Sequence, residues 1–316
     1  MNRFAFVFPG QGSQTPGMLE ALSRHHDVVA ETFAQAGEVL GLDLWKMVRE
    51  GPVDALNNTE VTQPVMLAGG IAVWRAWCAL SQARPEQLAG HSLGEYSALV
   101  AAEALDFADA VAIVAERARL MQAAVPAGQG AMAAVLGLDD EVVEAVCREV
   151  AEGQTVAPAN YNSPGQLVVA GEAAAVERAV RACLDAGAKR AMTLAVSVPS
   201  HCALMAPAAE RLADVLDNVE IRQPVIAVRH NVDGMPRSGP EEIRRALIDQ
   251  LASPVRWTHS IRQLVASGIG TVGECGPGRV LCGLGKRVDR GIEWIALENP
   301  DALAALASEQ DSKGER

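Results

Sequence analysis

The sequence predicts an α/β fold in which a mostly parallel, covered sheet is interrupted by a small ferredoxin-like unit. Three features carry this expectation. The chain opens on a lone apolar strand that runs into a Gly-rich turn, and a second strand, tight turn and helix surround Ser92. Between residues 128 and 198 the pattern shifts to β-α-β-β-α-β.

In chain order, residues 4–8 are a continuous apolar run, read as a strand, that ends in Pro9-Gly10-Gln11-Gly12-Ser13-Gln14. Largely helical sequence follows. Residues 63–83 hold Ala, Leu, Val and Trp at helical spacing, over a length that suits a helix packed across the core. A short extended piece, 87–90, leads through His91-Ser92-Leu93-Gly94 into a helix over 95–102, and Asp106 can cap the next helix, 106–124. The inserted pattern has strands at 131–136, 155–160, 166–170 and 191–196 and helices at 139–152 and 172–186. After it, helices at 203–216, 240–251, 255–266 and 279–288 are interspersed with strands at 224–230, 271–275 and 294–297. The expected partition is a discontinuous large domain, 1–127 and 198–307, a subdomain, 128–197, and a polar, frayed tail, 308–316. Ligand is then expected in the cleft between the two domains.

With 49% hydrophobic and 21% charged residues, the chain is neither disordered, collagen-like nor a coiled coil. Its 27 basic against 39 acidic side chains, a formal charge of −12, speak against nucleic acid or an anionic membrane as partner. Residues 1–9 lack a basic leader and cleavage site, and no later stretch approaches the roughly 20 apolar residues of a membrane span. A cytoplasmic, monomeric protein is expected. The six cysteines form no Cys-x-x-Cys pair, so no metal site is expected and the thiols read as reduced and mostly buried. Neither Gly10-x-Gly12 nor Gly276-Pro277-Gly278 completes a nucleotide-binding fingerprint, so no NAD or ATP site is claimed and no bound cofactor is expected.

The chemistry centres on Gly90-His91-Ser92-Leu93-Gly94, a Gly-x-Ser-x-Gly pattern that sets a serine on a strained strand-to-helix turn. Flanking side chains would collide there, so both flanks are Gly. Ser92 would sit at a helix N-terminus, where the Leu93 amide has no helical partner and can hold a developing oxyanion. Gln11, between two glycines after the first strand, could supply a second amide. A nucleophilic serine needs a base. His25 and His26 read as solvated, His91 as packed beside the turn and His259 as a helix residue, which leaves His201 and His230, each just past a predicted strand. Spacing alone does not separate them. In the helix 106–124, Arg117 shares the apolar stripe of Ile113 and Met121 whereas Arg119 points elsewhere. A guanidinium there must find an anion, either a core carboxylate or a substrate carboxylate gripped in bidentate fashion.

Phe8-Pro9-Gly10-Gln11-Gly12-Ser13-Gln14, the Ser92 motif with Glu95, Asn160-Tyr161-Asn162-Ser163-Pro164-Gly165-Gln166, Val198-Pro199-Ser200-His201 and Gly276-Pro277-Gly278 occur in that order along almost the whole chain. Together they resemble the malonyl-CoA:acyl carrier protein transacylases of bacterial fatty acid synthesis. The resemblance implies a hydrolase-like large domain with a ferredoxin-like insertion. It implies further that Ser92 is the nucleophile, His201 its base, Arg117 the clamp for the malonyl carboxylate and the Gln11 and Leu93 amides the oxyanion hole. In such proteins a main-chain carbonyl orients the imidazole in place of an Asp, at a position corresponding to Gln250. Malonyl-CoA and acyl carrier protein are then the partners, CoA thioester and phosphopantetheine being substrates. The carrier is usually acidic, and this chain would repel it unless cations gather at the cleft mouth, for which Lys189, Arg190, Arg279, Lys286 and Arg287 are candidates.

Two other classes compete. A serine esterase or thioesterase could use the same turn, although several strands should then precede the nucleophile and Arg117 would have no task. A non-catalytic carrier-binding subunit would have no need of Ser92, His201 and Arg117. Within the transferase reading, service to a polyketide synthase or a malonate decarboxylase stays open, because only the carrier differs.

Overall fold

Along the first strand, β1 (Arg3–Phe8), Phe4, Phe6 and Phe8 alternate with Ala5 and Val7, and all are buried. The alternation assigns the two sets to opposite faces. The Phe side chains enter one large core, where Phe6 meets Trp77 edge-on at 4.8 Å, while Ala5 and Val7 enter a second core with Trp257 and Trp294. Past the exposed Arg3, a strand apolar from Phe4 to Phe8 is what a parallel sheet covered on both faces requires. The structure, a computed structural model, describes residues 3–196 and 198–314. Ser197, at the expected domain boundary, and Met1, Asn2, Glu315 and Arg316 lie outside the described residues.

After β1 come the helices α1 (Glu20–Ser23), α2 (Val28–Leu40), α3 (Leu44–Glu50), α4 (Val53–Leu56) and α5 (Thr59–Leu80). The long α5 starts earlier than the apolar run implied, because Asn58 caps it by accepting from the Glu60 amide at 3.0 Å. Next are β2 (Gln87–Gly90), α6 (Gly94–Ala101) and α7 (Phe107–Ala124), the last capped by Asp106, which accepts from Ala108 N at 2.8 Å. Then β3 (Gly130–Leu136), α8 (Asp140–Val150), β4 (Val156–Ser163), β5 (Gln166–Glu172), α9 (Ala173–Asp185) and β6 (Arg190–Thr193) follow the β-α-β-β-α-β pattern. Their antiparallel sheet has the order β4-β5-β3-β6. One face packs on α8 and α9; the other presents Met132, Val168 and Ala170 beside Cys202. The last ladder bond is from the Leu194 amide to Met132 O at 2.8 Å, after which the chain departs, and Leu194 and Val196 line the cleft instead of extending the strand to residue 196 as expected.

A 3-10 turn, Ala203–Met205, leads into α10 (Ala206–Leu216). There follow β7 (Ala227–Arg229), α11 (Pro240–Ala252), α12 (Trp257–Ala266), β8 (Ile269–Glu274), α13 (Val280–Val288), β9 (Glu293–Ala296) and α14 (Pro300–Gly314). The main sheet has the order β7-β2-β1-β8-β9, parallel throughout. Of the strand expected at 224–230 only β7 joins it, because Arg222 and Val225 donate instead to the carbonyls of Ala104 and Ala102 at 2.9 Å. Residues 308–314 are not frayed but complete α14, whose Leu303, Leu306 and Gln310 are buried and whose Asp311 accepts from Ser81 Oγ at 2.6 Å. Among the described residues all six cysteines are free, five of them buried, and no helix is long and apolar enough to cross a membrane.

Candidate active site

The strand-to-helix turn between β2 and α6 is shaped by close backbone approach. A Cβ on Gly90 would lie 1.9 Å from the carbonyl of Gly94, and one on Gly94 would lie 2.1 Å from Phe8 O. Neither space admits a side chain, so Gly-x-Ser-x-Gly is a steric necessity. Between them Ser92 adopts φ 52°, a left-handed conformation costly for a non-Gly residue. Asn231 holds the turn in that state. Its Oδ1 accepts from Ser92 N at 2.6 Å, and its Nδ2 donates to Gly90 O at 2.6 Å. Ser92 thus stands at the carboxyl end of β2, where open α/β sheets gather their ligands.

His201, which spacing could not separate from His230, lies against Ser92 with Nε2 2.7 Å from Oγ. Its Nδ1 lies 2.9 Å from Gln250 O, an acceptor only, so the proton sits on Nδ1 and a bare Nε2 faces the hydroxyl. The His201 amide donates to Leu251 O at 3.1 Å, pinning the left-handed residue (φ 63°) to the end of α11. Burial, and then the Arg117 cation, push its pKa down to about 3. This imidazole is neutral across the physiological range and can accept a proton from Ser92. His230 is placed elsewhere. It is fully buried with Nδ1 2.7 Å from Glu95 Oε1. His91 packs edge-on against Trp257, its Nε2 2.8 Å from Asn162 Oδ1, and His25 and His259 are exposed.

Arg117 projects from α7 into the same cleft and is 1% exposed. It donates to Gln63 Oε1 at 2.7 Å and to Gln250 Oε1 at 3.0 Å, and its Nη2 lies 3.4 Å from Ser92 Oγ. The Tyr96 ring centroid is 5.7 Å from the guanidinium carbon. Among the described residues no carboxylate pairs with it, and its Nε is buried without a partner. Burial pushes its pKa down, yet an arginine keeps its proton and so presents a charge in need of an anion. Gln11 and Leu93 line the cleft, which encloses about 130 Å³, and Met132, Val168 and Leu194 supply its apolar wall. Lys189, Arg190, Arg279, Lys286 and Arg287 are all exposed, and Arg287 bonds Gln166.

Sequence reasoning missed the polar frame around the pair. Gln63 and Asn231 are ordinary helix and loop amides in sequence, and nothing in their spacing marks them. Glu95 stood within the quoted motif, but only its burial and its three N–H donors reveal a structural task. Gln250 was named for its main-chain carbonyl alone, yet its side chain touches Arg117, Ser92 O and Glu95.

A serine on a glycine-flanked turn, a neutral histidine against it and an unpaired cation in one cleft define an acyl-transfer protein of the α/β type. The family described as acyl transferase domain matches residues 5–287. The malonyl CoA-acyl carrier protein transacylase of Haemophilus influenzae is 52% identical over 307 residues, covering 97% of this chain and 98% of the relative. The solved structure of the transacylase from Coxiella burnetii superposes with a TM-score of 0.97 at 46% identity, covering 98% of both chains. A complex of a type II PKS acyl-carrier protein with its malonyl-transacylase gives 0.96 at 51% identity, covering 97% of this chain and 99% of that one. The chain belongs to the malonyl CoA-acyl carrier protein transacylase family and is an acyltransferase.

Proposed function

We propose that the protein moves a malonyl group from malonyl-CoA to the phosphopantetheine thiol of an acyl carrier protein, supplying fatty acid synthesis, with Ser92 as nucleophile and His201 as its base. The observation that carries this reading is the unpaired Arg117 guanidinium 3.4 Å from Ser92 Oγ. In a malonyl thioester the free carboxylate is one methylene from the reacting carbonyl, so a cation this close to the nucleophile suits it.

His201 Nε2 takes the Ser92 proton as Oγ attacks the thioester carbon, and the Leu93 and Gln11 amides hold the resulting oxyanion. Collapse expels the CoA sulfur, which leaves with the proton from His201, and a malonyl-serine ester remains. The carrier thiol then gives its proton to His201, attacks the ester and departs as the malonyl thioester, while Ser92 recovers its proton. A neutral carbonyl in place of a carboxylate costs less desolvation at Nδ1 but stabilises the imidazolium less. An Arg117–carboxylate pair in the closed cleft would fix the ester and exclude an attacking water. We assign residues 128–197 to a subdomain forming one wall of the cleft against a large domain of 1–127 and 198–307, and the exposed cations Lys189, Arg190, Arg279, Lys286 and Arg287 to the carrier's approach.

Incubation with malonyl-CoA alone is expected to release one CoA per chain and leave malonyl on the protein, with fast turnover only after holo-carrier protein is added. Rapid malonate release without carrier would make the protein a thioesterase. The pH profile is a second check. Because His201 titrates near 3, kcat/KM for malonyl-CoA should stay level from about pH 8 to about pH 5, without the limb near 6.5 of an ordinary histidine. A limb near 6.5 would contradict the buried neutral base. The same depression acts on stability. The unfolded chain binds this proton below about 6.5 and the folded chain does not, so the contribution is full above 6.5 and is lost as pH falls towards 3.

A further inference from the structure

We propose that Glu95 is a positioning residue that aims the Arg117 guanidinium through the side-chain amide of Gln250. The inference rests on reading Arg117 as the receiver of the substrate carboxylate. Glu95 lies in the first turn of α6, three residues after Ser92, and is fully buried, as is Gln250. Its carboxylate accepts from His230 Nδ1 at 2.7 Å, from the Asn231 amide at 2.9 Å and from Gln250 Nε2 at 2.9 Å.

An amide side chain has a donor end and an acceptor end, and its neighbours decide which points where. Gln250 Nε2 faces two acceptors, Glu95 Oε2 and Ser92 O at 3.1 Å. Its Oε1 is thereby turned to Arg117 Nη2 at 3.0 Å. Reversed, the amide would set two hydrogen-bond donors against each other at Arg117 and two acceptors against each other at Glu95. The carboxylate therefore fixes the amide, and the amide fixes one edge of the guanidinium while Gln63 fixes another. A direct Glu95–Arg117 pair would satisfy the cation internally and compete with the substrate. With the amide between them, the buried negative charge steadies the arginine and leaves it free to bind an anion.

The test is the ratio of kcat/KM for malonyl-CoA to that for acetyl-CoA, with holo-acyl carrier protein as acceptor. Glu95→Ala is expected to lower the ratio about tenfold or more, through a raised KM for malonyl-CoA. Glu95→Gln is expected to restore most of it, because its amide oxygen can still face Gln250 while His230 takes the other tautomer. Should Glu95→Ala not fold, Gln250→Met cuts the same link while keeping the carbonyl that orients His201, and the same fall is expected. An unchanged ratio in folded Glu95→Ala or in Gln250→Met would overturn the proposal, as would Glu95→Gln falling as far as the alanine variant. If Arg117→Ala also leaves the ratio unchanged, the carboxylate reading itself has failed. If Arg117→Ala collapses the ratio while the Glu95 and Gln250 variants do not, only the positioning role is lost.

Discussion

Ser92→Ala is expected to lose malonyl transfer by a factor on the order of a millionfold, with no malonyl found on the intact protein by mass spectrometry. Only Oγ is removed. The elbow should persist, because its shape rests on Gly90, Gly94 and Asn231, whose contacts run to main-chain atoms. The variant should therefore unfold at a temperature close to that of the parent while forming no acyl-enzyme. His201→Ala should lose activity to a similar degree, and the double variant should be little worse than either single one, since Oγ and Nε2 at 2.7 Å act as one unit. Malonyl recovered on the Ser92→Ala protein, or additive losses in the double variant, would remove Ser92 from the nucleophile's place.

Arg117→Ala is expected to lower kcat/KM for malonyl-CoA by roughly a hundredfold to a thousandfold, the scale of truncating one partner of a buried charge pair. Uncharged acyl groups should behave differently. Arg117 is the second cause, after burial, of the low His201 pKa, so its removal lets that pKa rise and makes the base stronger. Acetyl transfer should accordingly hold or increase, and the preference for malonyl over acetyl should collapse. Unchanged malonyl kinetics in the folded variant would show that the clamp is misassigned. Arg117→Lys should recover little, because a point charge replaces a planar fork held by Gln63 and Gln250.

How much of this was legible varies with the range of the interaction. The apolar run of β1, the cap at Asp106 and the β-α-β-β-α-β pattern are local signals, and the elements follow them closely. Arg117 could be placed inside an apolar helix stripe, but whether an internal acid met it depended on chain segments far away. Polar composition makes residues 308–316 read as a frayed tail, although Leu303, Leu306 and Gln310 carry the helical spacing that tertiary packing buries. The strand 224–230 shrank because its upstream part bonds to the loop after α6, a competition no local pattern reveals.

By itself the sequence determined the turn that carries Ser92: any side chain at Gly90 or Gly94 meets main-chain atoms, a constraint written into a few consecutive residues. Spacing leaves His201 and His230 level and the motif resemblance implies His201, but the physical reason lies in the tertiary structure. His201 is 109 residues from Ser92 and His230 is 135 residues from Glu95, and both follow predicted strands. Which imidazole reaches the hydroxyl was decided by the end of α11, whose Gln250 and Leu251 carbonyls hold His201 in place, and by a buried carboxylate that takes His230 for itself.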